Sequence, residues 1–147
     1  MVTLKEITKD NHISFLNMKV KPHQKEMVAP NSYSIAQAHF ESAAWVRGVF
    51  YKDEPVGFIM LSIKEAKAEY WIWRFMVTAE HQGKGYGKAA VQLAIDYVKT
   101  LPNATQLFLS YVPDVEGNAG AFYKKLGFTE IGEINKSGEI EMVISVA

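Results

Sequence analysis

Three glycines at alternating positions, Gly83, Gly85 and Gly87, interleaved with Lys84, Tyr86 and Lys88 and preceded by Gln82, form the stretch best suited to chemistry. Glycine lets backbone approach a ligand closely, and the first amides of a helix point outward without intrahelical partners. The helix dipole adds partial positive charge there, so this turn reads as an anion cradle, most naturally for a phosphate. Tyr123 supplies a phenol, a proton donor at neutral pH. Glu69 supplies a carboxylate at the head of the aromatic run Tyr70-Trp-Ile-Trp-Arg-Phe75. Cysteine is absent, which excludes disulfides and a cysteine nucleophile.

The elements that must position these residues follow from hydrophobic period and turn signals. Val2 to Ile7 reads as a strand and Thr8 to Met18 as a helix burying Ile13, Leu16 and Phe15. Ser34 to Ala44 reads as a second helix. Trp45 to Tyr51 and Val56 to Ser62 are strands joined through Lys52 to Pro55, and Tyr70 to Val77 is the strand that feeds the cradle. The next helix runs from Gly85 to Lys99, with Lys88, Gln92, Asp96 and Lys99 as its narrow polar stripe. Gln106 to Tyr111 is a strand, and Asn118 to Leu126 a short helix closed by Gly127. Phe128 to Ile134 and Ile140 to Val146 form a last hairpin. The order β-α-α-β-β-β-α-β-α-β-β predicts an α/β sandwich with a mixed sheet, a single domain over residues 1–147.

Composition sets the outer bounds. The hydrophobic share is 48% and the charged share 22%, and Lys plus Arg (16) equals Asp plus Glu (16). No global field therefore advertises a nucleic acid or a membrane surface. No apolar run approaches the roughly 18 residues that a membrane span needs, so a cytoplasmic protein is expected.

The cradle matches neither common phosphate motif. A P-loop needs G-x-x-x-x-G-K-[ST], but Gln82 and Ala89 stand where its first glycine and its hydroxyl residue belong. A dinucleotide fingerprint needs a third glycine where Lys88 stands. Gln82-x-x-Gly85-x-Gly87 instead resembles the Q/R-x-x-G-x-G/A motif of the Gcn5-related N-acetyltransferases (GNAT), whose element order, with a mostly antiparallel sheet, the whole chain resembles. The resemblance implies acetyl-CoA as co-substrate and no metal. It implies that Gln82, Gly83, Lys84, Gly85, Tyr86, Gly87 and Lys88 hold the pyrophosphate. Phe75, Met76 and Val77 would lie along the pantetheine arm on a strand splayed from its neighbour.

Ala121-Phe-Tyr-Lys-Lys-Leu-Gly-Phe128 resembles the family's second signature, which implies that Tyr123 protonates the departing CoA thiolate and contacts the cofactor. The family's cofactor-contacting asparagine would fall at Glu116. Asn118 is the expected substitute, with helix capping an equal alternative. For the base that deprotonates the acceptor amine, Glu69, Glu41 and His81 are the candidates. Strand alternation predicts Glu69 on one face with Trp71, Trp73 and Phe75, and Arg74 on the other as an ion-pair partner. Related polyamine enzymes often carry an acid where Trp73 stands.

Lys19 to Ala38 and Tyr70 to Val77 are similar to bacterial spermine/spermidine acetyltransferases. That implies a polyamine acceptor, with Asn31, Tyr33, Glu41 and Trp71 as substrate contacts. A peptide, amino-acid or antibiotic amine, and a non-catalytic acyl-CoA-binding module, remain as alternatives. Homodimers are frequent in this fold, although no segment here specifies one.

Overall fold

The computed structural model describes residues 1–147. Seven strands form one sheet in the order β1-β2-β3-β4-β5-β7-β6. They are β1 (Val2–Lys5), β2 (Ala44–Tyr51), β3 (Glu54–Lys64), β4 (Glu69–Val77), β5 (Gln106–Tyr111), β6 (Thr129–Ile131) and β7 (Ile140–Ser145). The helices are α1 (His12–Leu16), α2 (Asn31–Phe40), α3 (Tyr86–Lys99) and α4 (Gly120–Lys125). The element order is the one the sequence predicts. Every strand pair is antiparallel except β4 with β5.

Alternation along β3 explains the two layers. Ile59 and Leu61 point into the larger core, which they share with Ala90, Val91, Ala94, Ile95 and Val98 of α3 and with Tyr123 of α4. Phe58 and Met60 point the other way, into a smaller core with Met76, Ile35 and Ala38 under α2. The polar stripe of α3 is exposed at Lys88, Gln92, Asp96 and Lys99, as its spacing predicts.

The helical boundaries shift for local reasons. Thr8 donates its backbone N–H to Asn11 Oδ1 at 2.7 Å, so residues 8–11 form a turn and α1 starts only at His12. Phe15 is fully buried there, while Ile13, expected inside, is 56% exposed. Pro30 ends its approach in an extended conformation, and α2 begins directly after it, three residues earlier than expected.

Two features of β4 shape everything that follows. Its only register partner on β5 is the pair Trp71–Phe108, so beyond Trp71 the two strands separate. Across β3, Leu61 faces Ile72 but Met60 faces Arg74, which leaves Trp73 as the extra residue of a β-bulge. The bulge resets the alternation. Ile72 and Phe75 look toward α3, while Trp73 and Met76 look toward α2. The expected grouping of Glu69, Trp71, Trp73 and Phe75 on one face is therefore corrected: Phe75 is on the other side, and Arg74, paired with Met60, joins the α2 face.

Candidate active site

The split between β4 and β5 opens a cleft of about 490 Å³. Phe75, Met76 and Val77 line one wall, and Gln82, Gly83 and Gly85 to Lys88 close one end. Asn118 and Tyr123 lie opposite, so every residue expected to hold the cofactor lines this cleft except Lys84, which is exposed beside it.

The cradle fits an anion on three independent grounds. Gly83 and Gly85 adopt φ of +80° and +84°, left-handed values that a side chain resists, and a Cβ on either would meet nothing within 4 Å. The backbone there is bare toward solvent. Gly85 caps α3 with no side-chain hydrogen bond, which leaves the first helix amides free of side-chain acceptors. Lys84 and Lys88 are absent from the three ion pairs of the protein, so their charge is not neutralised locally.

Side chains brace this geometry. Gln82 and Gln24 exchange two amide hydrogen bonds, of 2.7 and 3.1 Å, and Gln82 Nε2 also donates to the Val77 carbonyl at 2.9 Å. The Gln82 side chain thus ties the end of β4 to the 19–30 segment. Asn118 Oδ1 accepts from Gly120 N at 2.9 Å and its Nδ2 donates to the Pro113 carbonyl at 3.0 Å. That shapes the turn ahead of α4, whose N-cap is Ala119 without a side-chain cap, so Asn118 is not the capping residue the sequence offered as an alternative. Glu116 is exposed and does not line this cleft. A Cβ at Gly120 would lie 2.8 Å from the Tyr111 ring, so α4 presses directly on β5.

That close approach carries Tyr123 into the centre. Its ring is 7% exposed and packs edge-on to Phe122 and Phe128, with centroids 5.1 and 5.8 Å away. Burial pushes its phenol well above the ordinary range, so the hydroxyl stays protonated throughout the neutral range. Tyr123 lines both this cleft and a second hollow of about 570 Å³ under the 25–30 segment.

The second hollow holds Trp73, Arg74, Ser110 and Glu139. Arg74, expected to form an ion pair, has none. Its Nη2 donates to Gln37 Oε1 at 3.2 Å, and its guanidinium carbon lies 5.4 Å from the Trp73 ring centre. Partial burial lowers its pKa, opposed by the nearby Tyr33 and Glu139. A third, shallower hollow of about 360 Å³ continues past Trp73 and Ser110 and brings together Glu41, Glu69 and Trp71. Trp71 stacks on Phe108 there, with ring centres 5.2 Å apart. Glu69 stands six residues from Phe75, roughly 18 Å along the strand even with the bulge. It shares no hollow with Tyr123.

Two expected substrate contacts lie elsewhere. Asn31 is buried, with its Nδ2 donating to the Phe15 carbonyl at 2.9 Å and lying 3.7 Å from Met76 Sδ. It ties α2 to α1 and β4 and presents no polar group to a ligand on that side. Tyr33 is 59% exposed and lines none of the three hollows. His81 lines the first cleft and its Nε2 lies 2.6 Å from Glu54 Oε1, so a carboxylate already engages the nitrogen a base would use. Sequence reasoning missed Gln24, Ser110 and Glu139. Gln24 sits in a segment without period, and Glu139 follows a hairpin turn, where an acidic residue looks like a solvated one.

The family model for the acetyltransferase (GNAT) family matches residues 4–128. The spermine/spermidine N(1)-acetyltransferase of Bacillus subtilis strain 168 is 26% identical over 97% of both chains. Among solved structures, spermidine N-acetyltransferase from Vibrio cholerae, in complex with CoA and spermine, superposes with a TM-score of 0.77 at 19% identity, covering 98% of this chain and 95% of that one. The ribosomal-protein-S18-alanine N-acetyltransferase from Escherichia coli gives a TM-score of 0.73 at 17% identity over 100% of this chain and 95% of that one. The structural likenesses speak for the fold, and the family model matches most of the length: the chain belongs to the GNAT family of acetyltransferases.

Proposed function

We propose that this acetyltransferase moves the acetyl group of acetyl-CoA directly to a primary amine of a polyamine, spermine or spermidine. The observation that carries the reading is continuity. Tyr123 borders the first and second hollows, and Trp73 and Ser110 border the second and third, so the three adjoin between the phosphate cradle and Glu41 and Glu69, which supports a trough for a long acceptor.

Each residue then has a task. The amides from Gly83 to Gly87, with Lys84 and Lys88, hold the pyrophosphate. The unpaired edge of β4 at Phe75 to Val77 binds the pantetheine arm as an added strand would. Tyr123 donates its hydroxyl proton to the leaving thiolate, which a phenol held protonated by burial can do. Catalysis beyond that is positioning of amine and thioester, with no covalent enzyme intermediate. Glu69 and Glu41 attract the distal ammonium groups of the chain, and Trp71 and Trp73 offer ring faces to its cations. The 26% identity to a spermine/spermidine enzyme supports this acceptor.

Arg74 favours a second reading. An unpaired guanidinium beside Tyr123 suits an acceptor amine that carries a carboxylate, such as an amino acid or a peptide. A length series separates the two. With acetyl-CoA saturating, kcat/KM is expected to rise from putrescine to spermidine to spermine, and the rise is expected to vanish in a Glu41→Gln/Glu69→Gln double variant. Preference for lysine or a peptide over every polyamine contradicts the first reading.

A further inference from the structure

We infer that Glu139, held in place by Ser110, is the base that takes the proton from the acceptor ammonium; this rests on the amine acetyltransferase reading above. Glu139 lines the hollow that Tyr123 also lines, so one hollow is bordered by a carboxylate and by the proposed proton donor. The other acid there, Glu26, is exposed and lies beside Lys25.

Glu139 is half-buried and its position is fixed from both sides. Ser110 Oγ donates to Glu139 Oε1 at 2.7 Å. Behind it, Asn135 ties down the hairpin, accepting from Glu139 N at 3.0 Å and from Ser137 N at 2.9 Å. Asn135 N also donates to the Glu139 carbonyl at 2.8 Å. Ser110 lines all three hollows, which places the dyad where cofactor cleft and acceptor trough meet. One oxygen of Glu139 accepts from Ser110, and its other lone pairs remain for an ammonium donor.

The charged groups around the hollow carry both signs. Arg74 of β4, Tyr123 of α4, and Lys25 and Glu26 of the 25–30 segment line the hollow, and Tyr33 of α2 lies within electrostatic reach of Arg74. The fixed guanidinium disfavours a second cation beside it, and so favours the neutral amine once Glu139 has accepted the proton. In the balanced step, R–NH₃⁺ gives one proton to the Glu139 carboxylate. The free amine attacks the thioester carbon, forming C–N. The C–S bond then breaks, the sulfur takes the Tyr123 proton, and the phenolate recovers a proton from the amide nitrogen through water. The products are R–NH–acetyl and CoASH, with one proton left on Glu139 for release to solvent.

The test compares wild type, Glu139→Gln, Glu139→Asp, Ser110→Ala and Glu69→Gln with spermine and acetyl-CoA across pH 6–10. Glu139→Gln is expected to lower kcat by roughly 100-fold or more at neutral pH, with the affinity for acetyl-CoA within about twofold of wild type. Its rise in rate with pH moves to alkaline values set by the free amine. Glu139→Asp recovers part of the rate, and Ser110→Ala loses roughly tenfold in kcat with little change in KM. Glu69→Gln raises KM and leaves the profile in place. Wild-type kcat and profile in Glu139→Gln overturn the assignment, as does unchanged kcat in Ser110→Ala if the glutamine variant does not fold. A wild-type enzyme that acetylates no amine sinks the functional reading instead, a separate outcome.

Discussion

Tyr123 is the residue on which the proposed chemistry turns, because its acidity departs from ordinary solution behaviour. A phenol in water titrates near 10, and this one is shifted upward by desolvation alone. A better-protected proton is a weaker acid, yet the group it must protonate, a thiolate formed in the same low-dielectric cleft, is raised by the same burial. Removing the hydroxyl while keeping the ring isolates this role. Tyr123→Phe is expected to lower kcat by roughly 10²–10³-fold, with acetyl-CoA binding within about twofold and the melting temperature nearly unchanged. Isothermal titration beside steady-state kinetics checks both halves, and retention of wild-type kcat contradicts the assignment. The alkaline limb of kcat should also lie above pH 10, since the donor keeps its proton through that range.

At this scale the sequence was legible wherever spacing expressed a local backbone need. Gly83 and Gly85 are readable because only glycine sits comfortably at their φ values. Asn31 was misread because its burial depends on Phe15 and Met76, 16 and 45 residues away. Glu139 was invisible for the same reason, its partner Ser110 being 29 residues distant.

Elements carry the next level of control, and β4 carries most of it. Alternation predicted from a strand pattern assumes an unbroken ladder, and one extra residue at Trp73 reverses the assignment of every side chain beyond it. That single insertion turns Phe75 toward α3 and Arg74 toward α2, where it lines the second hollow. No local propensity marks it, which is why the existence of β4 was legible and its faces were not. Gly85, the cap of α3, tests the next element. A Cβ there meets no protein neighbour, so Gly85→Ala strains the left-handed backbone by about 1–2 kcal/mol and places a methyl group in the open space a bound anion would approach. The expected result is acetyl-CoA binding weakened roughly five- to thirtyfold, read by titration, with kcat at saturation largely retained. Unchanged affinity would show that the cradle does not hold the phosphates.

For the whole molecule, balanced charge leaves recognition to local fields. With 16 basic and 16 acidic residues, nothing steers a polycation globally, and the proposed polyamine reading assigns the attraction to Glu41 and Glu69 in the third hollow. Raising salt from 50 to 500 mM is expected to raise KM for spermine severalfold, and by much less in the Glu41→Gln/Glu69→Gln variant. An equal salt effect in both proteins would place the attraction elsewhere.

Stability should respond to pH through buried phenols. Burial raises Tyr123, and desolvation is also the leading cause of the rise at Tyr111 and Tyr70. A raised folded value favours the protonated form, so this contribution is complete below about pH 10 and is lost as pH climbs beyond it. Melting temperature is expected to hold between pH 7 and 9 and to fall above pH 10; a flat profile to pH 11.5 contradicts that linkage.

The central claim is acetyl transfer from acetyl-CoA to a polyamine, and its most direct measurement is CoA thiol release by the purified protein against spermine, spermidine, putrescine, lysine and a peptide N-terminus. Saturable release with spermine or spermidine, exceeding that with lysine or the peptide, is the predicted result. Acetyl-CoA binding without release to either polyamine would contradict it.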